Sequence, residues 1–165
     1  MWAVVCLQEM SRLFDKILVP LDGSEHSLKA LDEAALIAKK FSGKLTLMHV
    51  YSVQPILMPE PSTGGSLSIP IMTGAEVSAM IEAAKKIGNK ILDDGEQRIM
   101  ASGVEVEKVL VEGHAVEEIV GLANQDNFDL IVIGARGVSH MREMLLGSVT
   151  DGVIHHVHCP VLVVK

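Results

Sequence analysis

Ile131-Val132-Ile133-Gly134-Ala135-Arg136-Gly137, continued at Leu145-Leu146-Gly147-Ser148-Val149-Thr150, decides how this chain is read. The apolar run has the look of a buried strand, and it stops abruptly at Gly134. Gly134 and Gly137 bracket a short bend, for which permissive backbone angles are expected. A nine-residue excursion follows, and Gly147-Ser148-Val149-Thr150 then opens a helical pattern with Val149, Val153, Ile154 and Val157 on one face. Ser148 and Asp151 have the spacing of a capping box. A helix start carries free N–H groups and a partial positive charge, so it favours an anion. Glycines let such a backbone approach its ligand closely, and the Ser148 and Thr150 hydroxyls are further candidate donors. On spacing alone, a plain structural turn and a phosphate site both remain open.

Working outward, Lys16-Ile17-Leu18-Val19 is a short apolar run closed by Pro20, as expected of a fully buried first strand. Asp22-Gly23-Ser24 forms the turn, with Ser24 as N-cap. Leu28, Leu31, Ala35 and Ala38 then recur at helical spacing as far as Phe41, with Gly43 as the stop. Leu45 to Val50 is the second strand. Residues 51–74 break the rhythm with Pro55, Pro59, Pro61, Pro70 and the pair Gly64-Gly65. A connection this long in a compact domain is usually functional or disordered, and it is expected here to order over a ligand. Val77, Met80, Ile81, Ala84, Ile87 and Ile91 make a long amphipathic stripe reaching Met100, ended by Gly103. Val104, Val106, Val109 and Val111 alternate among charges, the pattern of an edge strand with one wetter face. Val116, Ile119, Val120 and Ala123 form a short helix before the strand Leu130 to Ile133. The C-terminal strand is Val161-Leu162-Val163-Val164. No internal repeat is apparent, and the strict β-α alternation implies a mainly parallel sheet with helices on both faces.

The complete spacing Gly-x2-Gly-x9-Gly-Ser, at Gly134, Gly137, Gly147 and Ser148 before a last apolar strand, resembles the nucleotide-binding signature of the universal stress protein family, in its ATP-binding branch. Lys16-Ile-Leu-Val-Pro-Leu-Asp22-Gly-Ser and Leu47-Met-His-Val50 extend the resemblance, which covers residues 14–165. It implies an adenine-nucleotide α-hydrolase-like fold, a five-stranded parallel sheet in the order 3-2-1-4-5. Strands one and four then lie side by side, and their carboxyl ends form a topological switch point. Pro20, Leu21 and Asp22 are thereby placed beside Gly134, Arg136 and Gly137. The resemblance assigns ATP to this crevice, with Mg or another divalent cation on the phosphates. Gly147, Ser148, Val149 and Thr150 would meet the phosphates, Asp22 the ribose hydroxyls or adenine edge, and Val50 the adenine face. It further implies a homodimer joined through the last strand, and at most slow hydrolysis.

Rival readings of these residues stay open. Asp22 could simply cap its own turn, and Val50 could be plain core. Arg136, His140 and Arg142 are either solvated loop charges or partners for phosphate. His155, His158 and Cys159 have metal-ligand spacing, but they fall at the last turn of a helix, where histidines favour the carbonyl end of the dipole. No ligand pair with recognised zinc spacing complements them, and no metal site is expected. Nothing resembles a nucleophile with its base, and no Gly-x4-Gly-Lys-Ser/Thr is present.

Composition sets the bounds. A chain of 165 residues, 48% apolar, is expected to fold as one domain at 12–165 behind an extension at 1–11. The apolar extension lacks a basic flank and a cleavage site, so the start is either Met10 or a small docking segment follows Met1. The net charge of −7 argues against nucleic acid as partner. No run of about 18 apolar residues suggests a membrane span. Two cysteines are too few for a disulfide framework, and a cytoplasmic location is expected. Two further function classes share this fold: an interaction protein that does not use nucleotide, and an enzyme of activated adenylates with its pocket supplied by 51–74.

Overall fold

The computed structural model of the protein describes residues 14–53, 73–138 and 145–165. The 1–11 extension, the greater part of 51–74, His140 and Arg142 lie outside the described residues. The elements are β1 (Lys16–Pro20), α1 (Glu25–Phe41), β2 (Lys44–Tyr51), α2 (Gly74–Ile99), β3 (Val106–Glu112), α3 (Ala115–Gln125), β4 (Leu130–Gly134), α4 (Ser148–His156) and β5 (Val161–Val164). The strands pair in the order β3-β2-β1-β4-β5, all parallel, as expected.

Side chains alternate across each strand, so the apolar runs feed two cores. Ile17, Val19, Leu45, Leu47, Leu130 and Val132 face α1 and α2. Leu18, Met48, Ile131 and Ile133 face α3 and α4. The buried side of α1 carries Ala30, Ala34, Ala35 and Ala38 around Leu31, and these small residues let the helix lie close on the sheet. Leu28, expected in that stripe, is only half-buried. Two glycines do the same for α2. A Cβ on Gly88 would stand 2.5 Å from Leu110 Cδ1 and 2.7 Å from His49 Cδ2, and one on Gly95 2.8 Å from Leu21 Cδ1. Arg98 grips Asp32 with two bonds of 2.7 Å, joining α2 to α1. Both side chains are more than two-fifths exposed, so this pair contributes at most about 1 kcal/mol.

The helix ends show where sequence signals were misread. The left-handed residue closing α1 is Ser42, at φ 60, and not Gly43. Gly43 is required for space, because a Cβ there would collide with the Phe14 carbonyl oxygen. Helix α2 starts at Gly74, ahead of the apolar stripe, because Thr73 and Glu76 form a capping box. It passes into a short 3-10 turn at Met100–Ser102, and Gly103 ends the segment at φ 70.

Strand register creates the crevice. β1 and β4 are paired only at Ile17↔Leu130 and Leu18↔Ile131. Beyond that point β1 continues with β2 as far as Pro20↔Met48, while β4 continues with β5 as far as Gly134↔Val164. The central pair therefore splays at its carboxyl end. Pro20, which has no N–H, is tolerated in a central strand because it sits where one neighbour has already left.

Candidate functional site

Three crossover turns meet at this splay: β1 to α1, β4 toward α4, and β3 to α3. They enclose a cleft of about 740 Å3 including its open mouth. Pro20, Leu21 and Asp22 line it from β1, Val50 from β2, and Gly134, Arg136 and Gly137 from the end of β4. Gly147, Ser148, Val149 and Thr150 line it from the start of α4. The eleven residues expected from the sequence to meet a nucleotide thus all border one cavity, whereas His155, His158 and Cys159 do not line it.

The glycine turn is held from both sides. Gly147 N–H donates to the Ala135 carbonyl at 2.8 Å, and Ala135 N–H donates to Val164 at 2.6 Å. From the other side, Asp22 Oδ2 accepts the Val138 N–H at 3.0 Å and Oδ1 accepts the Ser24 N–H at 3.0 Å. The Ser24 hydroxyl caps α1 by accepting the Ser27 N–H at 3.2 Å, and it lies 3.4 Å from the Arg136 carbonyl it donates to. Asp22 therefore caps its own turn and also reaches across to the other strand.

The reason for the glycines differs from the expected one. Neither Gly134 nor Gly137 has a positive φ; among glycines of the described residues that angle occurs at Gly23 and Gly103. What these positions need is room. A Cβ on Gly134 would lie 2.7 Å from the His26 carbonyl carbon and 2.8 Å from the Ser27 nitrogen, so α1 crosses β4 backbone to backbone. A Cβ on Gly137 would collide with Asp22 Oδ2.

The start of α4 also departs from the capping-box reading. The N-cap is Gly147, at φ −76 and ψ 156, and no side chain caps the helix. Ser148 already has a helical backbone, so its hydroxyl cannot fold back as a cap would, and the Ser148–Asp151 box does not form. The first helical bond runs from Asp151 N–H to Gly147 at 2.9 Å, so the amides of Ser148, Val149 and Thr150 precede the helical ladder. The buried Thr150 hydroxyl donates to the Gly134 carbonyl at 2.7 Å and ties α4 to β4. A positive helix end without a side-chain cap thus faces the cleft.

Sequence reasoning missed Ser27, Met48, Ala115, Ile119, Ile133 and Val138, which also line the cavity. Met48, Ile119 and Ile133 belong to one apolar cluster against which Val50 and Val149 pack, and they give the cleft a greasy wall. Their signal was topological. In a parallel sheet every helix begins at the strand carboxyl ends, so the start of α3 had to reach this rim. Among the described residues, Asp22 and Arg136 are the charged side chains lining the cleft. The arrangement suits a ligand with a flat apolar body and an anionic tail.

The histidines of α4 are engaged locally. His155 Nδ1 donates to the Asp151 carbonyl at 2.8 Å and His156 Nδ1 to the Gly152 carbonyl at 2.7 Å, both in the last turn. Among the described residues no group of three His, Cys, Asp or Glu side chains could hold a metal ion. Burial pushes the Cys159 thiol up from its ordinary value, so it stays protonated and is not an activated nucleophile. No helix among the described residues is long and apolar enough to cross a membrane.

Comparison with known proteins agrees with this architecture. The model of the universal stress protein family matches residues 13–165. Universal stress protein YxiE of Bacillus subtilis is 35% identical over 153 residues, covering 93% of this chain and 100% of that protein. Among solved structures, universal stress protein UspA from Lactobacillus plantarum superposes with a TM-score of 0.75 at 25% identity, covering 92% of this chain and 98% of the other. A universal stress protein in complex with cAMP is 29% identical, with a TM-score of 0.62 over 92% of this chain and 97% of its own. These neighbours share the adenine-nucleotide α-hydrolase-like fold, and the chain belongs to the universal stress protein family.

Proposed function

We propose that this chain binds ATP in the β1–β4 cleft and works as a nucleotide-dependent regulatory or stress-response module, with hydrolysis slow and incidental. The observation that carries the reading is the start of α4, which has no side-chain cap and opens on a cleft with an apolar wall. The amides of Gly137, Ser148 and Val149 suit phosphate oxygens, and Val50, Met48 and Ile119 suit an adenine face. A relative of the same family binds the adenine nucleotide cAMP, which supports the base class. Slow turnover follows from the lining: among the described residues it offers no lysine, and its one carboxylate already accepts two backbone N–H groups. A divalent cation would arrive on the phosphates, completed by water. Native mass spectrometry of freshly purified protein, followed by calorimetric titration, tests the reading. A co-purified adenylate and saturable ATP binding are expected. A protein that neither carries nor takes up any adenine nucleotide is instead an interaction module of the same fold.

The sheet edges point to a homodimer through β5. The β3 edge is guarded by Glu107, Lys108 and Glu112, whereas β5 is wholly apolar and Leu162 is 38% exposed. Ile131 N–H donates to the Pro160 carbonyl and Ala135 N–H to the Val164 carbonyl, so residues of even number turn their backbone groups toward β4. Val161 and Val163 then present theirs outward. Antiparallel pairing of two copies about a two-fold axis would satisfy them and close the assembly. Val163→Pro removes one outward donor and leaves the β4 ladder whole, so it should shift the population toward monomer without unfolding. Wild-type protein sedimenting as a monomer at micromolar concentration would rule the pairing out.

A further inference from the structure

We infer that Asp22 is a positioning residue for the phosphate-binding turn, acting on ligand affinity through the backbone of residues 136–138 and not through the ribose. The inference rests on the nucleotide-binding reading above and assigns that site's control to the opposite strand. Each Asp22 oxygen already accepts a backbone N–H at 3.0 Å, one local at Ser24 and one 116 residues away at Val138. The two bonds therefore orient the carboxylate, and it lies so close to Gly137 that a Cβ there would displace it. Its neighbour Ser24 directs its hydroxyl to the Arg136 carbonyl at 3.4 Å.

The consequence for the ligand follows from the planar trans peptide, in which C=O and the next N–H point to opposite sides. The Arg136 carbonyl is turned toward Ser24 and the Val138 N–H toward Asp22. The Gly137 N–H must then face away from β1, toward the start of α4, where a Cβ built on Gly147 would stand 3.6 Å from the Gly137 nitrogen. This brings the Gly137 amide into line with the first amides of α4. Such a cluster of backbone donors binds an anion only while it is held in that orientation. Asp22 and Ser24 hold it without touching the anion.

Asn at position 22 has one acceptor oxygen, so its NH2 must confront either the Ser24 or the Val138 N–H, donor to donor. The turn is then released on one side. The test is a residue-by-ligand cycle: wild type and Asp22→Asn, each titrated with ATP and with 2′,3′-dideoxy-ATP at fixed salt and divalent cation. Equal losses for the two nucleotides, on the order of tenfold or more, are expected. A loss confined to ATP would show that Asp22 reads the ribose hydroxyls, and unchanged or tighter binding of both would show that the turn needs no holder; either overturns the inference. Wild-type protein that binds neither nucleotide overturns the nucleotide reading itself, which is a separate result. Should Asp22→Asn fail to fold, amide exchange in the wild type decides. The Val138 amide should be protected before ligand is added and the Gly137 amide only after. A Val138 amide that gains protection only with nucleotide contradicts the inference.

Discussion

Gly137→Val should leave a folded protein that no longer holds ATP. The added Cβ would strike Asp22 Oδ2, which is the mobile end of a side chain and not backbone. The fold can therefore yield locally, and a thermal midpoint within a few degrees of wild type is expected. Binding cannot yield in the same way. Displacing the carboxylate breaks its bond to the Val138 N–H, and the branched side chain fills the approach to the Gly137 amide. Losing one charge-assisted bond and the access to one donor together should weaken ATP binding on the order of 100-fold, about 2.7 kcal/mol. Calorimetry on both proteins, each checked by circular dichroism, measures it. Matching affinities in two folded proteins would remove Gly137 from the site.

Gly134→Ala is the complementary case, with damage to the fold instead of the ligand. Here the new Cβ meets main-chain atoms of His26 and Ser27 at 2.7 and 2.8 Å, and neither can rotate away. Helix α1 must back off the central strand, opening the tightly packed alanine face around Leu31. Overpacking of this kind costs about 1–3 kcal/mol, which for a domain of this size lowers the melting temperature by about 3–10 °C. Gly121→Ala is the matched control. Nothing lies within 4 Å of a Cβ there, and replacing a mid-helix glycine should stabilise by about 0.5–1 kcal/mol. Equal melting temperatures for Gly134→Ala and wild type would mean that α1 does not rest on β4 as described.

Much of this molecule could be read before any coordinate. Buried parallel strands announce themselves as short apolar runs, so β1, β4 and β5 were placed to within a residue. The strand order needed the family resemblance, since periodicity says nothing about which strands are neighbours. The site residues converged because the order was right. What escaped were properties of three-dimensional proximity. Gly134 and Gly137 read as a bend needing permissive backbone angles and Gly43 as a helix stop, yet each is a place where another chain segment passes too close for a Cβ. Ser148 and Asp151 had capping spacing, but the backbone turned one residue earlier and left Gly147 as the cap. Thr73 and Glu76 hid the true start of α2, because a cap precedes the apolar stripe that periodicity detects. The apolar wall from Met48 and Ile119 looked like ordinary core, which is also what it is on its other side.

The two glycines that seat α2 on the sheet have a cost in the helix itself. Gly88 and Gly95 each lower intrinsic helicity by about 0.8–1.0 kcal/mol relative to alanine, and both sit well inside a helix of 26 residues. Its buried stripe is also narrow, with Gly88, Leu92, Gly95 and Ile99. Cut out as a peptide, this segment would be largely unwound in water; its hydrogen bonds persist because the sheet is there to receive them. During refolding α2 must therefore consolidate after β1 and β2, and in native-state exchange it should open as a unit with its own, lower free energy. Gly95 rests on Leu21, the residue before Asp22, so undocking the helix strips one wall from the segment that steers the glycine turn. Ligand capture and the winding of a helix on the far face of the sheet are thereby linked through a single leucine.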